Sequence, residues 1–225
     1  MRSLLRGLRR WLIRLIIVTL LATAMLTVPL RWIDPPGSAF MLGDRVFRGQ
    51  AINQVWVPSE SISAHLKLAV IAAEDQNFPH HRGFDLREIR AAVDAHRQGG
   101  RLRGASTISQ QLARNLYLWP ERSWVRKSLE MWMTVPLELS LSKARMLEIY
   151  LNIVELDTGV YGAEAGAWHY FGKPASDLTR EEAALLAATL PAPKHLDPAN
   201  PNDYLLERQR WILTQMTNLG PTWIP

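Results

Sequence analysis

Cysteine is absent from all 225 residues, which excludes disulfides and thiolate chemistry and fits any compartment. Acidic residues are missing from the first fourteen positions, where Arg2, Arg6, Arg9, Arg10 and Arg14 stand. The 21 Lys and Arg that follow equal the 21 Asp and Glu, so the formal charge of +5 belongs wholly to the N-terminal tail. A basic chain would ordinarily raise nucleic acid as a partner, but a neutral remainder argues against it and for a membrane-flanking tail. Sustained strand alternation, internal repeats and low-complexity tracts are also lacking, which leaves a mainly α fold. His80 and His81 are adjacent and lack the helical spacing of metal ligands, so no zinc site is expected. The length suits one well-cored domain with an anchor and is too short for two catalytic domains with one.

What is present begins with an apolar run. From Trp11 to Leu30 only Arg14 and three threonines interrupt it, and twenty such residues are what a helix needs to cross the hydrocarbon core. Arg14 lies near the start and can snorkel to the headgroups. The arginines before the run, with only Arg31 close after it, place the N-terminus in the cytoplasm and the remaining chain outside. Ala22-Thr23-Ala24 has the small-residue pattern of a signal-peptide cleavage site, and that alternative also exports the domain. The expected organisation is a basic tail over 1–10, a transmembrane helix over 11–30, a linker over 31–51 and one catalytic domain over 52–225.

Asp34-Pro35-Pro36-Gly37 opposes regular structure, so residues 31–44 read as irregular. Ile52 to Val57 reads as extended. Ser59 is the expected cap of a helix carrying Ile62, Leu66 and Val70 along one face and ending near Glu74. A second helix is expected from Ser123, with Val125, Leu129, Trp132 and Met133 as its apolar stripe and Pro136 disturbing it. Ser142 starts another, carrying Met146, Leu147, Tyr150 and Leu151. Thr179 and Glu182 form a capping box for a helix closed by Pro191, and a last helix runs from Asp203 to Leu219 before Gly220-Pro221.

Glu74 continues the apolar row at the next i+4 position, so an acid points where the core points. Burial and the nearby helix C-terminus both disfavour its charge, which suits a general base or acid; a structural pairing with Arg82 or Arg87 is the alternative. Asp75 beside it reads as structural. Glu130 shares a helix surface with Arg126 and Lys127, a spacing common among solvated ion pairs. Ser106-Thr107-Ile108-Ser109-Gln110-Gln111, with Arg114 and Asn115, offers donors to an anion or sugar, or equally a capped helix start. Residues 82–127 hold ten Lys and Arg against four Asp and Glu, which suggests an anionic ligand if they face one way.

Together these segments resemble the peptidoglycan glycosyltransferases of glycosyltransferase family 51, found alone or as the first domain of bifunctional penicillin-binding proteins. Glu74 to Asp85 is similar to the first family motif, Ala105 to Asn115 to the second and Arg126 to Glu130 to the third. Glu148 to Asn152, Gly159 to Gly162 and Tyr170 to Lys173 resemble the later ones. Mild departures are Ala105 for a usual glycine, Ser109 for threonine and Arg114 for lysine; the last exchanges a point cation for a planar fork.

The resemblance implies a lysozyme-like, α-rich lobe with a smaller membrane-associated lobe. It implies Glu74 as general base and Glu130 as a second essential carboxylate. Ser106, Gln110, Gln111, Arg114, Asn115, Arg122, Arg126 and Lys127 are the implied substrate-binding residues. The implied substrates are lipid II as acceptor and a lipid-linked growing glycan as donor, with the membrane and other cell-wall synthesis and division proteins as partners. No cofactor is required by these residues, and a divalent cation is left open. Two rival readings are an exported lysozyme-like enzyme that cuts glycan and a non-catalytic wall-binding membrane protein. A hydrolase has no need of cations around a pyrophosphate, and a scaffold tolerates loss of both glutamates.

Overall fold

The computed structural model describes residues 2–99 and 106–225. Among these, helices α1 (Arg2–Thr27), α2 (Ala39–Phe47), α3 (Ala64–Glu74), α4 (Leu86–Arg97) and α5 (Ile108–Tyr117) form the first half. The second holds α6 (Trp124–Ser140), α7 (Lys143–Ile153), α8 (Ala163–Phe171), α9 (Arg180–Thr189) and α10 (Asp203–Leu219). Three short strands, β1 (Asn53–Gln54), β2 (Glu155–Asp157) and β3 (Val160–Tyr161), form one sheet in the order β1-β3-β2, parallel then antiparallel. The domain is mainly α, as its composition and periodicity predict. Arg101, Arg103 and Ala105, part of the basic stretch and of the second motif, lie outside the described residues.

Helix α3 is the centre of the core. Leu66, Leu68, Ala69, Val70, Ile71 and Ala72 are all buried, so nearly every side of the helix meets other elements. Helices α9 and α10 pack against it, and α5 packs between α6 and α7. Each buried Leu, Ile or Val is worth about 1.5–3 kcal/mol relative to an exposed one, so α3 is strongly fixed in place. Its cap is Ser63, whose Oγ accepts from His65 N, and not Ser59, which lies in a separate 3-10 turn over Ser59–Ser61.

Two other local expectations fail. Residues 39–47 form α2, capped by Ser38, where an irregular linker was expected; the stretch around Pro35 and Pro36 and residues 48–51 stay irregular. Burial of Met41 and Asp44 and packing against α5 stabilise this short helix. Helix α6 runs through Pro136 to Ser140, and its inward face is Arg126, Glu130, Met133, Thr134 and Leu137. Val125, Leu129 and Trp132 instead lie exposed, so only Met133 of the expected stripe is core.

Apolar side chains also cluster outside. Trp124, Val125, Met131, Val135 and Leu139 of α6 are exposed, as are Leu42, Val46 and Phe47 of α2. Helix α1 is long and apolar enough to cross a membrane and packs by its C-terminal end on α6. Trp132 Nε1 donates to Thr23 Oγ1 at 3.3 Å, and Tyr117 Oη donates to the Leu26 carbonyl at 2.9 Å. Arg145 Nε donates to the Leu30 carbonyl at 2.9 Å. The anchor therefore ends in specific contacts with the domain.

Candidate active site

The site is built around the place where α3 stops. Asp75 leaves the helix with extended φ of −162°, and its carboxylate turns back into the protein. It accepts from Ile108 N at 2.9 Å, an otherwise unpaired donor of the first turn of α5, and contacts His81 Nε2 at 2.8 Å. Gly83 N donates to His81 Nδ1 at 3.1 Å, so Nε2 carries the proton that His81 gives to Asp75. Asp75 is structural, as the sequence suggests: it joins the end of α3 to the start of α5.

Gly83 completes the turn. Its φ of +86° favours glycine, and a Cβ there would lie 2.7 Å from Thr134 Cγ2 of α6. Thr107 Oγ1 donates to the Gly83 carbonyl at 2.7 Å. Thr107 also caps α5 in a capping box with Gln110, whose Oε1 accepts from Thr107 N at 3.0 Å. Gln110 is buried, and its side-chain oxygen is committed to that box, which gives it a part in shaping α5.

Glu74 is thereby fixed beside α5 and α10. Gln111 Nε2 donates to Glu74 Oε2 at 2.8 Å, while Tyr150 Oη of α7 donates to Gln111 Oε1 at 2.9 Å. The amide is thus oriented from behind and holds one carboxylate oxygen. The other, Oε1, lies 3.5 Å from an Arg208 guanidinium nitrogen of α10. The cation is neither Arg82 nor Arg87. No local spacing could have found Arg208, because it reaches Glu74 only through the packing of α10 on α3.

A second cluster lies on α6. Glu130 is 2% exposed, with Arg126 on Oε2 at 2.9 Å and Lys127 on Oε1. The solvated pair expected from spacing alone is an ion triad in which Glu130 and Arg126 are buried and Lys127 is half-buried. Lys127 Nζ also donates to Ser106 Oγ at 3.0 Å, which joins the start of the second motif to the third. Both carboxylate oxygens are taken by cations, so Glu130 is suited to holding Arg126 and Lys127 in place. Arg126 Nε is buried without a hydrogen-bond partner among the described residues.

Arg114 stands between the clusters. Its Nε donates to Asn115 Oδ1 at 3.2 Å, and its guanidinium lies 5.8 Å from the Phe40 ring centre of α2. Burial pulls its pKa below the ordinary arginine value, opposed by Tyr150 and Glu130, assisted by Arg126 and opposed again by Glu74. Among the described residues no carboxylate forms an ion pair with it. A half-buried cation with no carboxylate in direct contact can take up an anion. Arg122 is exposed in the connection from α5 to α6, outside these hydrogen-bonded clusters.

The structure thus links Glu74 with Gln111, and Ser106 with Lys127, Arg126 and Glu130, with Asn115 steadying Arg114. Beyond Arg208, two participants were missed: Tyr150, read only as a core residue, and Phe40, in the supposed linker. Tyr150 is completely buried, and burial pushes its phenol well above the ordinary tyrosine range, so it stays a hydrogen-bond donor to Gln111.

Residues 43–217 match the family model described as transglycosylase. A biosynthetic peptidoglycan transglycosylase from Ectopseudomonas mendocina is 47% identical over 222 residues, covering 96% of this chain and 92% of the relative. Proteins of the same description from Aeromonas hydrophila and Shewanella oneidensis are both 48% identical, covering 97% and 96% of this chain and 93% and 95% of theirs.

Proposed function

The chain belongs to the transglycosylase family and is a peptidoglycan glycosyltransferase that polymerises glycan strands, and from that premise we propose how its residues divide the reaction. Glu74 is the general base. It takes the proton of the acceptor GlcNAc 4-hydroxyl as that oxygen attacks the anomeric carbon of the lipid-linked donor. The bond from that carbon to the pyrophosphate oxygen breaks, and attack from the opposite face converts an α-linked donor into a β-1,4 product. Lipid II is the acceptor and the lipid-linked growing glycan the donor.

The departing polyprenyl diphosphate gains negative charge as its bond breaks. Arg114, Lys127 and Arg126 are held near one another before substrate arrives, so their charge acts without reorganisation at the moment of reaction. Glu130 holds the latter two. Gln111 positions the base, Ser106 supports Lys127, and Asn115 supports Arg114. Arg122, exposed on the same connection, meets the pyrophosphate from the solvent side. Gln110 shapes the helix start.

The observation that carries this reading is the half-buried Arg114, lacking a carboxylate ion-pair partner among the described residues, between a base held by an amide and a cation triad. A glycan hydrolase has no use for it. The apolar α1 is a single-pass anchor, and the arginine-rich tail keeps the N-terminus in the cytoplasm with the domain on the outer face of the inner membrane. The exposed apolar side chains of α6, on which that anchor packs, and those of α2 meet the lipid surface that carries both substrates. Replacing Glu74 with Gln keeps size and hydrogen bonding while removing the proton acceptor. Polymerisation of lipid II by the folded variant is expected to fall by about 10² or more. Turnover near that of the parent refutes the base assignment.

A further inference from the structure

Helix α10 lies outside every motif that the sequence makes recognisable, yet it supplies the cation nearest the base. Leu205, Ile212 and Met216 turn into the core and fix its rotation. That rotation sets Tyr204, Arg208 and Trp211 on one strip, because residues at i, i+4 and i+7 share a helix face. Arg208 is the inner member, at Glu74. Tyr204 and Trp211 flank it, about 6 Å before and about 4.5 Å beyond along the axis at 1.5 Å per residue. Both rings are exposed, at 54% and 45%.

We infer that this strip of α10 is the acceptor-sugar wall of the active site, with Tyr204 and Trp211 stacking on sugar rings and Arg208 positioning both Glu74 and the sugar that bears the attacking hydroxyl. The inference rests on Glu74 being the base. Three features point to a sugar there. An aromatic ring offers a flat apolar face that matches the C–H face of a pyranose, and its cost in lost rotamer freedom is small. The rings stand about 6 Å and about 4.5 Å along the axis from Arg208, each close to the length of one sugar unit, so the pair spans two successive sugars. Arg208 is not used up by Glu74: one guanidinium nitrogen makes a long contact of 3.5 Å, and its Nε is buried with no hydrogen-bond partner among the described residues. A buried unpaired donor beside the base is costly unless a ligand oxygen takes it up.

The donor side is distinct. Its cations come from α5 and α6, so the wall on α10 acts on the acceptor alone. Glu74 lies between the two, against Gln111, Arg208, Arg114 and Tyr150. The acceptor hydroxyl must approach from the Arg208 side, because Gln111 already occupies Oε2.

The test separates the two substrates in the full-length chain in detergent. Lipid II methylated at the GlcNAc 4-hydroxyl can donate but not accept, and lipid II with methylene in place of its anomeric oxygen can accept but not donate. Single coupling of this pair gives one KM for each. Tyr204→Ala and Trp211→Ala change exposed side chains and are expected to fold as the parent does. Each is expected to raise the acceptor KM at least fivefold, with the donor KM within twofold. Arg208→Gln is expected to raise the acceptor KM and lower kcat at least tenfold, and Arg208→Lys to recover part of both. An unchanged acceptor KM in the aromatic variants overturns the inference. So does a donor KM that rises in step, which places the strip against lipid, and so does an Arg208→Gln variant with parental kcat and KM. Glu74→Gln in the same assay reports on the base separately, through loss of kcat at an unchanged acceptor KM.

Discussion

At the scale of single residues, two glutamates that look alike in sequence have opposite surroundings. Glu74 has an amide on one oxygen and only a long contact to an arginine on the other, so one of its oxygens is loosely held. Glu130 has a cation on each oxygen and a buried position. Removing one member of a buried ion cluster leaves an uncompensated charge, at a cost of about 3–5 kcal/mol. Glu130→Gln is therefore expected to lower stability by an amount of that order in chemical denaturation, and to lose polymerisation. Glu74→Gln is expected to lose activity with little change in stability, since its side chain is partly exposed and loses only a long ion contact. A Glu130→Gln variant as stable as its parent would show that the triad is not what holds Arg126 and Lys127. The apolar row singled out Glu74, but Ile62 precedes α3, and the burial of Leu68, Ala69, Ile71 and Ala72 beside Leu66 and Val70 shows that one stripe understates the core-facing surface of that helix. The surroundings of Glu130 were not legible, because i+3 and i+4 spacing is the same for a solvated pair and for a buried triad.

At the scale of elements, caps carried most of what could be read. Ser123, Ser142, Thr179 with Glu182, and Gly220 stand where the structure begins or ends helices, since each satisfies backbone groups that a terminus leaves unpaired. Helices α2, α4 and α8 escaped notice for different reasons. Helix α2 is short and follows a proline pair; α4 has no buried residue to set a core-facing pattern, and α8 is rich in small residues. Helix α4 still has a strong start. Asp85 accepts from Arg87 N at 2.9 Å and Glu88 N at 3.2 Å. Burial works against the charge of Asp85, but the bonds from Glu88 N, the Asn77 side chain and Arg87 N outweigh it and hold its pKa below the ordinary aspartate value. A lowered folded pKa means stability that is present above the unfolded value, near 4, and lost as pH falls through the folded value. Asp85→Ala is expected to cost about 1 kcal/mol at pH 7, and the difference from the parent is expected to shrink as the pH is taken below that window. Urea melts at neutral and acid pH measure it, and a difference independent of pH would remove the charge from the account. The apolar stripe of α6 was misassigned because an exposed face beside a membrane anchor is as hydrophobic as a core face, and periodicity cannot tell lipid from protein interior.

At the scale of the whole molecule, the question is whether the anchor only tethers the domain or also helps to build it. Both substrates carry polyprenyl tails, so confinement to the membrane raises their effective concentration at the site without adding a contact there. The structure adds a second effect. Thr23, Thr27 and Leu30 are buried, and Leu26 and Leu30 offer carbonyls to Tyr117 and Arg145. Leu116 and Leu118, at the end of α5 and just after it, are buried, while Trp119 beside them is exposed. Many of the exposed apolar side chains of the domain lie instead on α2 and α6. Two truncations separate tethering from building. Deleting residues 1–22 removes most of the membrane span and keeps every contact just named, whereas deleting 1–30 removes Thr23, Thr27 and the two carbonyls, and strips cover from α6. The shorter deletion is expected to melt with the parent in detergent. The longer one is expected to melt several degrees lower, at about 2–4 °C per kcal/mol for a domain of this size. Both are expected to polymerise lipid II in micelles, and both to be less efficient than the parent in liposomes at equal protein concentration. Glycan formation in the two media, with melting curves alongside, gives the comparison. If the shorter deletion lost activity equally in micelles and liposomes while staying folded, the span itself would be part of the site, and confinement would not explain why the enzyme carries it.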